Sequence, residues 1–264
     1  MTRYPRKAAR GEWHDCLEVT LKDQNVNNPN NNRPFEDPLA VLPRGLTKLY
    51  SIWVKTTYPF RSIGHDVSLH FTSKVSRERA PRIKLGNSIN VGAHVSLTVA
   101  TEDLDGEPTI VIDDGCQISE GSIISAKNRI HLEPYVNIAQ QVIILDHNHA
   151  YEDIGVPIIK QGITQGGRVR IGEGSWIGHG AAVLCSRGDL TIGRHCVVAA
   201  NSVVTRSIPD YSVVFGLPAK IIRQYDPHTC TWRIGQVRGM AAADAANIEL
   251  TSAVVRSAGL IVPS

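Results

Sequence analysis

Between residues 85 and 204 branched aliphatic side chains recur every six residues, and that period constrains the fold more than any other feature. Leu85, Val91 and Leu97 open the series. Ile112, Ile118, Ile124 and Ile130 form a second run, after which the frame slips by two and resumes at Leu132, Ile138 and Ile144. Ile171, Ile177 and Val183 make a third run, and Ile192, Val198 and Val204 a fourth. Glycine follows the aliphatic position at 86, 92, 172, 178 and 193. Small or β-branched residues stand four places after it, at Val95, Cys116, Val136, Val142, Ser175, Ala181, Cys196 and Ser202. A helix repeats its apolar face every ~3.6 residues and a two-faced strand every second residue, so neither template yields this period. A unit that makes one flat side and one corner does. Three such units close a triangular coil, and stacked coils bury one another's aliphatic residues. The residue two before each aliphatic one sits in a narrow corner and must be small, while glycine eases the bend.

The expected fold class is therefore all-β: a parallel β-helix of hexapeptide repeats over residues 61–226, flanked by short helical N- and C-terminal extensions. Residues 1–60 comprise a polar, Asn- and Pro-rich arm (NVNNPNNNRPFEDP) and a short amphipathic helix. Leu46, Leu49, Tyr50, Trp53 and Val54 lie at helical spacing in that segment, and the helix would plug the open end of the coil stack. Residues 227–264 form a C-terminal extension, Ala-rich from residue 236 and expected to be helical. Aromatic residues are only 6%, so the core is filled by Val, Ile, Leu and Ala.

A formal charge of +3, with no Lys/Arg run or RNA-binding motif, argues against nucleic acid as a partner. No apolar run approaches a membrane span, and no apolar stretch follows the basic start, which leaves a cytoplasmic protein as the expectation. The five cysteines (16, 116, 185, 196 and 230) are scattered without CxxC spacing, which speaks against a disulfide framework or a zinc knot.

Interruptions of a solenoid become surface loops, where chemistry concentrates. One break, 98–109 (TVATEDLDGEPT), is acidic and carries no catalytic signature. The larger, 145–168 (LDHNHAYEDIGVPIIKQGITQGGR), gathers Asp146, His147, Asn148, His149, Tyr151, Glu152 and Asp153.

The succession DHNHAYED, VPIIKQGI, VRIGEGSWIGHGAAVL and LTIGRHCVVAANSVVTRSIPDYSVVFGLPAKIIRQY resembles the hexapeptide-repeat O-acetyltransferases. That family includes maltose, galactoside and xenobiotic acetyltransferases, and this chain is most similar to members acting in polysaccharide biosynthesis. The likeness spans about residues 60–226 and is specific over 143–226. It implies a left-handed coil, against the usual right-handed crossover. It also implies an acetyltransferase moving acetyl from acetyl-coenzyme A to a sugar hydroxyl, and a cytoplasmic homotrimer with sites between subunits.

Such a transfer needs a base for the acceptor hydroxyl, and histidine is well matched at neutral pH. It needs no metal, because the coenzyme thiolate is a good leaving group. Two imidazoles compete. Family members of the form H-x-Tyr put the base two residues before Tyr, which favours His149 ahead of Tyr151. His147, directly after Asp146, fits the alternative alignment. The resemblance further assigns Trp176, Ala199, Ala200, Thr205, Arg206, Lys220 and Arg223 to the coenzyme. Asn128, Tyr151 and Glu152 are the residues expected on the acceptor side.

Two departures stand out. LCSRGDLTIG is longer than the usual corner, which would alter a coenzyme-side bulge. Where sugar acetyltransferases carry an upstream carboxylate this chain reads SAKNRI, with Lys127 and Asn128, which points to a different or anionic sugar. The segment IGHGAAVLC also resembles the γ-class carbonic anhydrase repeat, a zinc enzyme of the same fold. The second histidine of that segment is here Leu184, which makes three-His coordination hard to assemble. A non-catalytic scaffold is the third reading.

Overall fold

The computed structural model describes residues 41–234. Its strands form three sheets, two of six strands and one of nine, and as far as Val203–Val204 each takes every third strand of the chain. Successive coils therefore stack as a three-sided prism. The first face contains Ser62–Ile63, Ile83–Leu85, Ile110–Ile112, Arg129–Leu132, Gly166–Ile171 and Arg187–Ile192. The second runs from Ser68–Leu69 through Trp176–Ile177 and Val197–Val198 to Ser212–Phe215, and the third from Lys74–Val75 to Val203–Val204.

Strand register stacks the six-residue series into columns. Leu85, Ile112, Leu132, Ile171 and Ile192 are partners on the first face. Val91, Ile118, Ile138, Ile177, Val198 and Val214 align on the second. Leu97, Ile124, Ile144, Val183 and Val204 align on the third. Every one of these side chains is buried. Full burial of each contributes about 1.5–3 kcal/mol, so the columns are the main source of stability. The two-residue slip lies at Lys127–Asn128: Ile124 and Ala126 point inward before it, and Ile130 and Leu132 after it.

The sequence helix is present as α1, Val41–Thr57, but its buried face differs from the expected one. Ser51 and Val54 are buried, whereas Leu46, Leu49 and Trp53 are exposed. The reason is polar. The Ser51 hydroxyl sits 2.9 Å from the Leu69 N–H and 3.0 Å from the Leu69 carbonyl, groups of the terminal strand that no further coil can pair. The helix does cover the open end, through that seam.

The excursions are shorter than the sequence breaks. Thr98 and Val99 remain in Ser96–Val99, Leu145 ends Ile143–Leu145, and Gly166, Gly167 and Arg168 belong to Gly166–Ile171. Both excursions leave along one edge, between the third face and the first. The residues lengthening LCSRGDLTIG form no bulge. Arg187–Ile192 pairs along its whole length with Gly166–Ile171.

At the far end Lys220–Asp226 and Thr231–Ile234 add antiparallel to the second sheet, so the described start of the C-terminal extension is strand. The N-terminal arm and the Ala-rich tail from 236 lie outside the described residues. Cys116, Cys185 and Cys196 are buried free thiols. Cys230 is disulfide-bonded, one bridge where none was expected. Among the described residues no helix is long and apolar enough to cross a membrane.

Candidate active site

The larger excursion is a hairpin rooted on the prism edge. His149 and Ile163 form an antiparallel bridge, Thr164 N–H donates to the Asn148 carbonyl at 2.7 Å, and Ala150 N–H donates to Gly162 at 3.1 Å. Beyond this ladder the tip exposes Tyr151, Ile154, Ile158 and Ile159. The Gln161 amide braces it, donating to the Asp153 and Val156 carbonyls at 2.8 and 2.7 Å.

At the root the Asp146 side chain has no exposure to solvent. Its carboxylate accepts three consecutive main-chain N–H groups, from Lys127 at 2.7 Å, Asn128 at 2.8 Å and Arg129 at 2.9 Å. Those donors belong to the corner made by the frame slip, so the slip builds a concave nest for a carboxylate. A buried carboxylate needs such partners, because leaving it unpaired would be very costly. Asp146 Oδ1 also lies 2.9 Å from His147 Nδ1, and the His147 side chain is 12% exposed. The carboxylate thereby makes Nδ1 the donor and leaves Nε2 as the acceptor nitrogen.

The corner also grips the returning limb of the hairpin. Lys127 Nζ donates to the Thr164 carbonyl at 2.5 Å, and Asn128 Nδ2 to the Gln165 and Gly167 carbonyls at 2.8 and 3.2 Å. Gly166, at φ +76°, closes the arrangement. A Cβ there would fall 2.6 Å from the Asp146 carbonyl, 2.9 Å from Asn128 Nδ2 and 3.3 Å from His147 Cβ. One coil on, burial raises the Cys185 thiol above its ordinary value, and the charge of Asp146 adds to the effect. Burial pushes Cys116 up to about 12. Both thiols stay protonated and unreactive at neutral pH.

The structure thus brings Asp146, His147 and Asn128 together. His149 is exposed, its main chain committed to the hairpin ladder, and among the described residues no hydrogen bond holds its ring. Tyr151 and Glu152 are on the exposed tip, where the Tyr151 N–H donates to Glu152 Oε2 at 3.2 Å. The coenzyme set is divided. Thr205 and Arg206 follow Val203–Val204 on the same edge as His147, nearer the C-terminal end. Trp176, Lys220 and Arg223 belong to the second face, and Ala199 and Ala200 to the corner after it. Arg223 lies over the Trp232 ring, 5.6 Å from its centroid. His179 is an exposed corner residue, and among the described residues no three His, Cys, Asp or Glu side chains are placed to hold a metal.

Sequence reasoning missed Lys127 and Arg129 as donors of the nest, and Gly166 as its lid. The signal for the first was the frame slip. Nothing short of the register could have shown the second.

No family model matches the chain. It is 31% identical over 189 residues to a probable acetyltransferase of Mycobacterium tuberculosis, a match covering 71% of this chain and 57% of that protein. The chain therefore spans little more than half that relative's length. It is 32% identical over 157 residues to a putative lipopolysaccharide biosynthesis O-acetyl transferase of Escherichia coli, covering 57% of this chain and 79% of the relative. Among solved structures AntD, an N-acyltransferase from Bacillus cereus in complex with dTDP-4-amino-4,6-dideoxyglucose and coenzyme A, aligns with a TM-score of 0.55 at 16% identity. That alignment covers 79% of this chain and 97% of AntD. At such identity the likeness speaks to the fold, a left-handed β-helix.

Proposed function

Because the chain belongs to the hexapeptide-repeat acetyltransferases, we propose that it moves acetyl from acetyl-coenzyme A to a hydroxyl of a sugar or polysaccharide precursor, with His147 as general base. The observation carrying this reading is the contact of His147 Nδ1 with the fully buried Asp146 carboxylate at 2.9 Å. A general base must present one fixed unprotonated nitrogen, and the nest behind Asp146 fixes which nitrogen that is. Sequence spacing favoured His149. Among the described residues nothing orients the His149 ring in a comparable way.

In this reading Nε2 takes the acceptor hydroxyl proton as the oxygen attacks the thioester carbonyl. The tetrahedral intermediate collapses directly, expelling coenzyme A thiolate, which takes the proton from Nε2. The Asp146 carboxylate stabilises the transient imidazolium, the role played by the carboxylate of hydrolytic triads. No acyl-enzyme forms.

We assign Trp176, Ala199, Ala200, Thr205, Arg206, Lys220 and Arg223 to the donor, and Tyr151 and Glu152 to the acceptor side. Asn128 acts by clamping the hairpin. Within one chain the second face and His147 lie on different sides of the prism. A homotrimer supplying His147 from one subunit and the second face from the next would unite them. The same assembly would cover the aliphatic hairpin tip. The reading places the reaction in the cytoplasm, where acetyl-coenzyme A is available.

Replacing His147 with Ala should lower turnover by about 100-fold or more while coenzyme binding persists. His149→Ala should change turnover by no more than a few-fold. The reverse pattern would transfer the role to His149.

A further inference from the structure

Beside His147, the outer side of the first face carries arginines in excess of the carboxylates around them, among the described residues. Ile130, Val169 and Leu190 point into the core, so strand alternation turns Arg129 and Arg168 outward. Arg129 and Arg168 are register partners on adjacent parallel strands, about 4.8 Å apart. Arg187 pairs with Gly166 on the next strand.

Each is tied to the catalytic root. The Arg129 N–H is one of the three donors to Asp146. Arg168 is its neighbour, and Arg187 stands opposite the glycine packed against His147.

Among the described residues no hydrogen bond or ion pair engages these three guanidinium groups. Three arginines elsewhere on the prism are matched: Arg170 pairs with Glu133, Arg194 with Asp210 at 3.0 Å, and Arg82 with Asp103 at 3.1 Å. That row reads Arg129, Arg168, Asp189, one carboxylate against two cations, and Arg187 adds a third cation two residues before Asp189 on the same strand. Like charges on neighbouring strands destabilise a sheet, so the arrangement is unfavourable until an anion occupies it. Planar guanidinium forks suit phosphoryl oxygens, which they can grip through two parallel bonds.

Building on the catalytic reading above, we infer that the acceptor is a phosphorylated sugar, a glycosyl phosphate or diphosphate. Arg129 and Arg168 hold its phosphoryl oxygens, Arg187 borders them, and a ring hydroxyl is thereby presented to His147 Nε2. The frame slip then serves two purposes through one corner, since its N–H groups fix Asp146 while Arg129 reaches the substrate.

The test is calorimetric titration of the full-length protein with inorganic pyrophosphate under saturating coenzyme A, which fills the donor site. Pyrophosphate should bind the wild type once per chain. Its affinity should fall by about tenfold or more in Arg129→Gln/Arg168→Gln, the loss expected when charge-assisted bonds are removed. Arg168→Gln alone, at an exposed position, should show part of that loss. Coenzyme A affinity should not change in either variant. Glucose 1-phosphate should compete at least tenfold better than glucuronate, which separates a phosphoryl group from a carboxylate. Absent binding, binding indifferent to both variants, equal competition by glucuronate, or a fall in coenzyme A affinity instead would each overturn the inference. His147→Ala should retain pyrophosphate binding. Normal turnover in that variant would sink the catalytic reading while leaving the anion site standing.

Discussion

At the scale of single residues the proposed chemistry rests on three neighbours, Asp146, His147 and Gly166. Asp146 is buried, and three main-chain donors hold its carboxylate beside the His147 ring. Gly166 makes the enclosure possible, because its positive φ and the missing Cβ admit the Asp146 carbonyl and the His147 side chain. Gly166→Ala should therefore cost about 1–3 kcal/mol of stability and lower turnover more than coenzyme affinity. Thermal unfolding alongside steady-state kinetics checks this, and an unchanged turnover would mean the root tolerates displacement. The sequence narrowed the candidate base to two histidines of this excursion and favoured His149, whereas the ring with a side-chain partner is that of His147. Spacing to Tyr151 weighs only the local chain, whereas orientation comes from residues 17–19 positions upstream.

At the scale of elements the corners stitch one coil to the next. Asp114 Oδ1 accepts the Asn87 N–H at 2.8 Å, and Asp210 Oδ1 accepts the Arg194 N–H at 2.9 Å. The Asn87 N–H, joined by its side-chain amide, holds the Asp114 carboxyl below its ordinary value. Burial works to raise Asp210, but bonds from the Arg194 main chain and guanidinium outweigh it and leave the carboxyl lowered. Groups lowered in the folded state contribute stability that is present above the unfolded carboxylate range and lost as pH falls through the folded value. Stability should thus be flat near neutrality and decline below about pH 4. Asn in place of both aspartates should flatten that decline, as denaturant melts across pH would show. An undiminished decline would place the acid sensitivity elsewhere.

The corners also explain which element boundaries were legible. Aliphatic spacing located the strands, but it could not show that Gly166–Arg168 extend the first face, because two glycines and an arginine carry no strand signal. The face of α1 was misjudged for a related reason. Apolar periodicity ranks Leu49 and Trp53 above Ser51, yet the unpaired main chain of Leu69 calls for a hydroxyl.

At the scale of the whole molecule the prism was readable almost entirely, since Ile171, Ile177, Ile192 and Val198 occupy interior columns as the period requires. What a period cannot encode is which sides of the prism cooperate. His147 stands on the edge between the third and first faces, while Trp176 projects from the second. In the proposed homotrimer the two meet across a subunit boundary. The most direct test is a crystal structure with coenzyme A bound. It should place the coenzyme sulfur within about 4 Å of His147 Nε2 of one copy, near enough for proton transfer once substrate is present, and Trp176 of a neighbouring copy against the pantetheine. A sulfur beside His149, or one remote from both imidazoles, would contradict it.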